Sequence, residues 1–193
     1  FGKAINFLIN IIDKTRGSNF SGEKALLIDK QMVAHFKGID PEKVLFITGT
    51  NGKSTSNNLI NHILKTNGKT VISNLEGANL LAGVATALLK SSNLFGRVKA
   101  DYFIFETDER FLPIIHAQLP AKNLLVTNLQ KDQVQRNGEP DYIYQKIKSV
   151  INKDMTLYLN NNEPRVKSLA KYAGKAVYYG VTRNEKSFEN NLL

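Results

Sequence analysis

The 193-residue chain has no cysteine, which excludes disulfides and thiolate metal sites within it and fits a reducing compartment. Its three histidines, His35, His62 and His116, stand far apart with no zinc-site spacing, so core or surface roles are expected of them. No apolar run reaches the roughly 18 residues that a membrane span requires, and the chain reads as soluble. Dense basic runs and basic stripes interleaved with aromatics are also missing. The formal charge is nonetheless +9, from 26 Lys and Arg against 17 Asp and Glu. That balance favours an anionic partner such as a nucleotide, a nucleic acid or a phospholipid surface. The lysines are scattered in ones and twos among asparagines, which describes a solvated surface and argues against a nucleic-acid groove. The first residue is Phe rather than Met, so a start further upstream is expected and a removed signal peptide stays open.

What the chain does have is apolar content, 42%, enough to bury a core within one domain. Residues 3 to 12 place Ile5, Leu8, Ile9 and Ile12 at helical spacing; a helix packed on the domain is the expectation there. "TRGSNFSGEK" reads as a loop, and a short helix is expected from Asp29 to Phe36. The strand Val44 to Ile47 follows. "STSNNLINHILKTNGK" then carries Leu59, Ile60, Ile63 and Leu64 on one helical face and stops at Asn67-Gly68, a capping signal.

From there strands and helices alternate. "TVIS", "DYFIFET", "NLLVTNL", "MTLYLNNN" and "AVYYGV" read as strands. "GANLLAGVATALLKS", "PDYIYQKIKSVINK" and "EPRVKSLAKYA" read as helices, with "ERFLPIIHAQL" a helical turn broken near Pro113. Alternation of this kind implies right-handed crossovers and an α/β fold, a mostly parallel open sheet with helices on both faces. Residues 1–43 form a helical lead-in, 44–182 the main domain, and 183–193 the start of a following segment.

Ligands of open parallel sheets sit at the carboxyl ends of the strands. There the chain reads "LFITGTNGKST", residues 45 to 55. Glycines after a buried strand let backbone N–H groups turn inward at the positive end of the next helix, forming an anion nest. Lys53 is placed to reach β- and γ-phosphates, and Ser54 to join Mg²⁺. The general pattern G-x-x-x-x-G-K-[ST] needs Gly at position 47, where this chain has Ile. The alternative is a Gly-rich turn whose lysine is merely solvated. Mg²⁺ takes one or two carboxylates besides phosphate and water. Glu106, at the end of the strand "YFIF", is the candidate; Asp108 and Glu109 suit the capping of the next helix better.

The loop "ITGTNGKST" resembles the ATP-binding loop of the Mur ligases and folylpolyglutamate synthases, which lacks the first glycine in the same way. "NLEGANLLAGVATALL" (74 to 89), "FETDE" (105 to 109) and "TNLQKDQVQRNGE" (127 to 139) extend the resemblance over residues 1 to 182. They are similar to the ligase-like subunits of lipid II isoglutaminyl synthases. That resemblance implies a P-loop NTPase-like central domain that takes ATP and Mg²⁺. The implied activity is activation of the D-glutamate α-carboxylate of the lipid II stem peptide as an acyl phosphate. A GatD-like glutamine amidotransferase partner then supplies ammonia, in the cytoplasm at the inner face of the membrane.

Carried onto this chain, the resemblance assigns Gly49, Thr50, Asn51, Gly52, Lys53, Ser54, Thr55 and Asn79 to the nucleotide. Lys53 and Glu106 become the catalytic pair, with Ser54 and Glu106 on the metal. Asn79 has a second reading as a helix cap, and Leu159 to Pro164, similar to a segment near the adenine, a second reading as an ordinary turn. Many Mur ligases have Asp-His where this chain has Asp132-Gln133, and Lys146 sits near a carbamylated lysine of theirs; a solvated lysine is expected here. Members usually continue into a four-cysteine zinc ribbon and a C-terminal domain, so zinc is expected only beyond Leu193. Two other functions stay open: a different Mur-like amide ligase, for folate or a peptidoglycan amino acid, and a non-catalytic P-loop module.

Overall fold

The computed structural model describes residues 20–74, 78–129 and 140–181. Its strands are β1 (Val44–Thr48), β2 (Val71–Ser73), β3 (Tyr102–Glu106), β4 (Asn123–Val126), β5 (Thr156–Asn160) and β6 (Lys175–Tyr179). They form one six-stranded sheet in the order β2-β3-β1-β4-β5-β6, and each pairing is parallel. The helices are α1 (Phe20–Ile28), α2 (Lys53–Thr66), α3 (Leu81–Ser91), α4 (Leu112–Gln118), α5 (Pro140–Lys148) and α6 (Pro164–Lys167).

Strand order and crossover handedness together fix the layers. The connection from β1 to β2 moves one way along the sheet, whereas β2 to β3, β3 to β4, β4 to β5 and β5 to β6 all move the other way. Right-handed crossovers therefore put α2 on one face and α3, α4, α5 and α6 on the other. Side-chain alternation agrees. Val44, Phe46, Phe103, Phe105, Leu124, Val126, Leu157 and Leu159 join Leu88, Leu112, Ile115 and Ile147 in the main core. On the opposite face Leu45, Ile104 and Tyr158 border a hollow with Ile60 and Leu64 of α2. Within the main core, register sets Phe105, Phe46, Leu124 and Leu157 in one row across four strands. Phe46 and Phe105 meet at 6.4 Å between ring centroids. Burying rings of this size is the largest apolar contribution a core receives from single residues.

Three expectations change. The "loop" at 15–24 gives way to α1 from Phe20, because Gly22 is a contact residue and not a turn residue. Its N–H donates to Thr86 Oγ1 at 2.9 Å, and a Cβ there would lie 1.9 Å from the Ala82 carbonyl oxygen of α3. Between Asp29 and Phe36 only a 3₁₀ turn forms, Met32–His35. Pro113 is the second residue of α4 and does not break it, occupying the first turn where its missing N–H costs nothing.

In α2 the inward stripe is also not the one expected. Ile60 and Leu64 face the sheet, but Leu59 and Ile63 are 57% and 49% exposed while Asn57 and Asn61 are buried. The asparagines are bonded to each other and to the edge strand: Asn61 Nδ2 donates to Asn57 Oδ1 at 3.0 Å, and Ser73 Oγ to the same oxygen at 3.1 Å. The expected helix at residues 3 to 12 lies outside the described residues. Among the described residues no helix is long and apolar enough to cross a membrane.

Candidate functional site

The turn from β1 into α2 is shaped by two glycines with different duties. Gly49 has φ +124°, and a Cβ on it would stand 2.2 Å from Thr127 Oγ1 and 2.8 Å from the Asn128 carbonyl oxygen. It is glycine because the end of β4 presses against it. Gly52 has φ +83° and nothing within 4 Å of a built Cβ. It occupies the N-cap of α2, offering no side chain to the helix. The first helical bond recorded is Ser56 N–H to the Gly52 carbonyl at 2.9 Å, so the preceding N–H groups of α2 lack intrahelical acceptors. No acidic residue stands in that first turn, which leaves the positive end of the helix dipole uncompensated.

Asn128 clamps the loop from the β4 side. Its carbonyl accepts the Thr50 N–H at 2.8 Å, its Oδ1 accepts the Asn51 N–H at 3.0 Å, and its Nδ2 donates to the Asn51 carbonyl at 2.9 Å. Lys53 curls back inside the loop. Its ammonium donates to the carbonyls of Gly49 and of Thr50, the latter at 3.0 Å, and to Glu109 Oε1 at 3.4 Å.

Glu106 ends β3 opposite Ile47 of β1. Alternation from Ile104 turns its side chain to the α2 face, the side on which Lys53 and Ser54 begin their helix. The residue is only 3% exposed, and Oε2 has no hydrogen-bond partner. A buried carboxylate oxygen without a donor is costly, and such orphans mark places where an ion or ligand belongs. Its backbone is fixed by Asn74, whose Oδ1 accepts the Glu106 N–H at 2.9 Å while Nδ2 donates to the Glu106 carbonyl at 2.8 Å.

Asp108 and Glu109 do not cap α4. Asp108 pairs with Arg110 at 2.8 Å. Burial pushes its carboxyl up, but the Arg110 hydrogen bonds and charge outweigh it and hold the group below the ordinary value. Glu109 pairs with Lys53 and is buried; burial raises its carboxyl above the usual range even though Lys53 pulls the other way.

The structure thus brings Gly49, Thr50, Asn51, Gly52, Lys53, Ser54, Thr55 and Glu106 to one end of the sheet. Asn79 is nearby, its carbonyl accepting the Asp108 N–H at 2.9 Å. Leu80, not Asn79, holds the N-cap of α3, without a side-chain cap. Asn160 to Asn162 act as a brace. Asn160 Nδ2 donates to the Thr127 carbonyl at 3.0 Å, and Asn162 bonds the Val181 backbone through both side-chain atoms. Lys146 lies over the Tyr142 ring at 5.2 Å. His35 pairs with Asp29 at 2.9 Å and His116 meets the Ala121 carbonyl at 3.2 Å. Asp132-Gln133 falls outside the described residues. Asn128, Asn74 and Glu109 are the residues that sequence reasoning missed. Their common signal is position, since each lies just beyond the carboxyl end of a strand: Glu109 and Asn128 after β3 and β4, the neighbours of β1, and Asn74 after the edge strand β2.

Comparison with known proteins supplies the lineage. Residues 47–192 match the Mur ligase middle domain. The chain is 33% identical over 179 residues to lipid II isoglutaminyl synthase (glutamine-hydrolyzing) subunit MurT of Staphylococcus aureus, covering 92% of this chain and 40% of that protein. Among solved structures, the MurF ligase of Thermotoga maritima in complex with ADP superposes with a TM-score of 0.60 at 15% identity, covering 83% of this chain and 36% of that one. The bifunctional folylpolyglutamate synthase/dihydrofolate synthase of Yersinia pestis, complexed with AMPPNP and Mn ion, gives 0.55 at 16% identity, covering 82% and 46%. The chain spans about 40% of the length of the curated MurT of Staphylococcus aureus. With a family match over most of its length and the same parallel sheet, the chain belongs to the Mur ligase middle-domain family.

Proposed function

We propose that this chain is the ATP-binding part of a ligase subunit that amidates peptidoglycan precursor. ATP binds at the turn from β1 into α2, and the carboxylate activated is the D-glutamate α-carboxylate of the lipid II stem peptide. The observation that carries the nucleotide assignment is the convergence of a glycine-shaped loop, an enclosed lysine and a buried carboxylate with an unbonded oxygen at one strand end. Similarity to a MurT subunit supports the choice of lipid II.

The chemistry asks little of the protein beyond placement and charge. The substrate carboxylate attacks the γ-phosphorus, the bond to the ADP oxygen breaks, and an acyl phosphate forms. Ammonia then displaces phosphate. No protein nucleophile takes part. The N–H groups of the first turn of α2 face the phosphates, while those of Thr50 and Asn51 are held by Asn128, and Lys53 offsets the charge that gathers on the transferring group.

Glu106 and Ser54 suit Mg²⁺. The orphaned Glu106 oxygen is a hard donor, and Mg²⁺ needs few protein ligands. Among the described residues no group of three or more His, Asp or Glu could hold a metal ion by itself, so phosphate oxygens and water complete the coordination in this reading. When bound, Mg²⁺ supplies charge neutralisation at the phosphates. Asn79 completes the nucleotide side.

The partner in this reading is a glutamine amidotransferase subunit that delivers the ammonia. The full-length protein, combined with that subunit, lipid II, glutamine and Mg-ATP, is expected to yield amidated lipid II by mass spectrometry, and Lys53→Ala to abolish the product. Amidation at the normal rate by that variant would sink the role given to Lys53. ATP turnover indifferent to lipid II and to glutamine would reject the substrate.

A further inference from the structure

We infer that Glu109 is the counter-ion that holds Lys53 where a phosphate will stand, and that the nucleotide binds by taking Lys53 from it. The inference rests on the nucleotide reading of the loop and deepens it. An ammonium group has three N–H donors. Here they meet three acceptors, the carbonyls of Gly49 and Thr50 and the carboxylate of Glu109. No donor is spare, so a phosphate oxygen must replace one acceptor.

Glu109 is the acceptor that yields. At 3.4 Å it makes the longest of the three contacts, and it alone carries the charge that an arriving phosphate repels. The carbonyls belong to the loop backbone and move only if the cradle does. The two side chains are 14% and 6% exposed, so water screens the pair poorly and the exchange is felt in full. Asp108 is engaged by Arg110 at 2.8 Å and does not take over the lysine. Glu109 is therefore a positioning residue: it keeps Lys53 folded into the loop, and its charge sets how tightly an anionic ligand can bind.

Glu109→Gln keeps the length and an acceptor oxygen but removes the charge. In the full-length protein, calorimetric titration with AMP-PNP and Mg²⁺ is expected to show binding about tenfold tighter, or about 1.4 kcal/mol, for Glu109→Gln. Lys53→Ala should lose binding, and Lys53→Ala combined with Glu109→Gln should match Lys53→Ala. A merely structural role would weaken affinity, so tightening separates the two. Unchanged or weaker binding by Glu109→Gln, with binding lost in Lys53→Ala, overturns the inference and leaves the loop reading standing. If Lys53→Ala binds as the wild type does, the loop reading falls and the inference with it. Where the Gln variant does not fold, Glu109→Met, similar in length and uncharged, is titrated with the same two outcomes.

Discussion

Gly49 and Gly52 are three residues apart in one loop, both at positive φ, yet alanine at the two positions should do different things. At Gly49 the new Cβ meets Thr127 Oγ1 at 2.2 Å and the backbone O and N of Asn128 at 2.8 and 2.9 Å. Two of those three atoms are backbone held by β4, so a side-chain rotation cannot relieve the clash. The unfavourable φ costs about 1–3 kcal/mol, and overpacking against fixed neighbours costs about 1–3 kcal/mol more. Taking about 4 kcal/mol for the sum, a domain of this size should melt roughly 8–16 °C lower. At Gly52 nothing lies within 4 Å. Only the left-handed backbone is penalised, by about 1–2 kcal/mol, partly offset by about 0.4–1 kcal/mol from a less flexible unfolded chain. A drop of no more than roughly 6 °C follows. The open space at Gly52 faces the uncapped start of α2, so Gly52→Ala should still weaken AMP-PNP binding by tenfold or more. Differential scanning calorimetry and nucleotide titration of the two full-length variants test this. Equal melting temperatures would refute the claim that β4 packs on Gly49; a Gly52→Ala variant with unaltered affinity would refute the cradle.

Other residues give sharper single outcomes. Glu106→Gln should keep the fold but lose the metal dependence of nucleotide binding, measured by titrating AMP-PNP with and without Mg²⁺; undiminished Mg²⁺ dependence counts against Glu106. Asp108→Asn should destabilise the protein at neutral pH. The folded-state carboxyl lies below the ordinary aspartate value of 3.8, so its contribution is present above that value and is lost as pH falls through the folded one. Urea midpoints of wild type and variant should accordingly converge at acid pH, and a constant gap would contradict the Arg110 pairing. Gly22→Ala places a Cβ 1.9 Å from the Ala82 carbonyl and should detach α1 from α3. Faster amide exchange confined to those two helices is the expected readout, and unchanged exchange the refuting one.

The parallel sheet was legible because its central strands β1 and β3 are buried on both faces and the strands are separated by helical stretches, so that periodicity and punctuation agree. The phosphate loop was legible for a different reason: it is local, and its chemistry is written in consecutive residues from Gly49 to Thr55. What sequence could not supply was anything that depends on a second element distant in the chain. Gly22 read as a turn because the carbonyl it makes room for belongs to Ala82, 60 residues on. The inward stripe of α2 was misread because Asn57 and Asn61 look like surface residues until the bonds that Asn57 Oδ1 accepts from Asn61 and Ser73 are seen. Glu109 looked like a cap because its lysine is 56 residues earlier in the chain.

The position of the site follows from where the chain reverses direction along the sheet. The connection leaving β1 crosses to the α2 face, while those leaving its neighbours β3 and β4 cross to the opposite face. The loop after β1 consequently parts from the loops on both sides of it, which is where the ligand crevice of an open parallel sheet is expected. Each wall is furnished by one of those neighbours: β3 contributes Glu106 and Glu109, and β4 contributes Thr127 and Asn128. This arrangement separates the two jobs of the cradle. The β4 wall is neutral and bonds the loop backbone through Asn128, so it sets shape; the β3 wall is acidic and faces Lys53, so it sets charge. Changes at Asn128 should therefore alter stability and nucleotide affinity together, whereas changes at Glu109 should alter affinity with little effect on melting temperature. Measuring both quantities for Asn128→Ala and Glu109→Gln in the full-length protein tests the division, and an affinity loss at Asn128 without any loss of stability would break it.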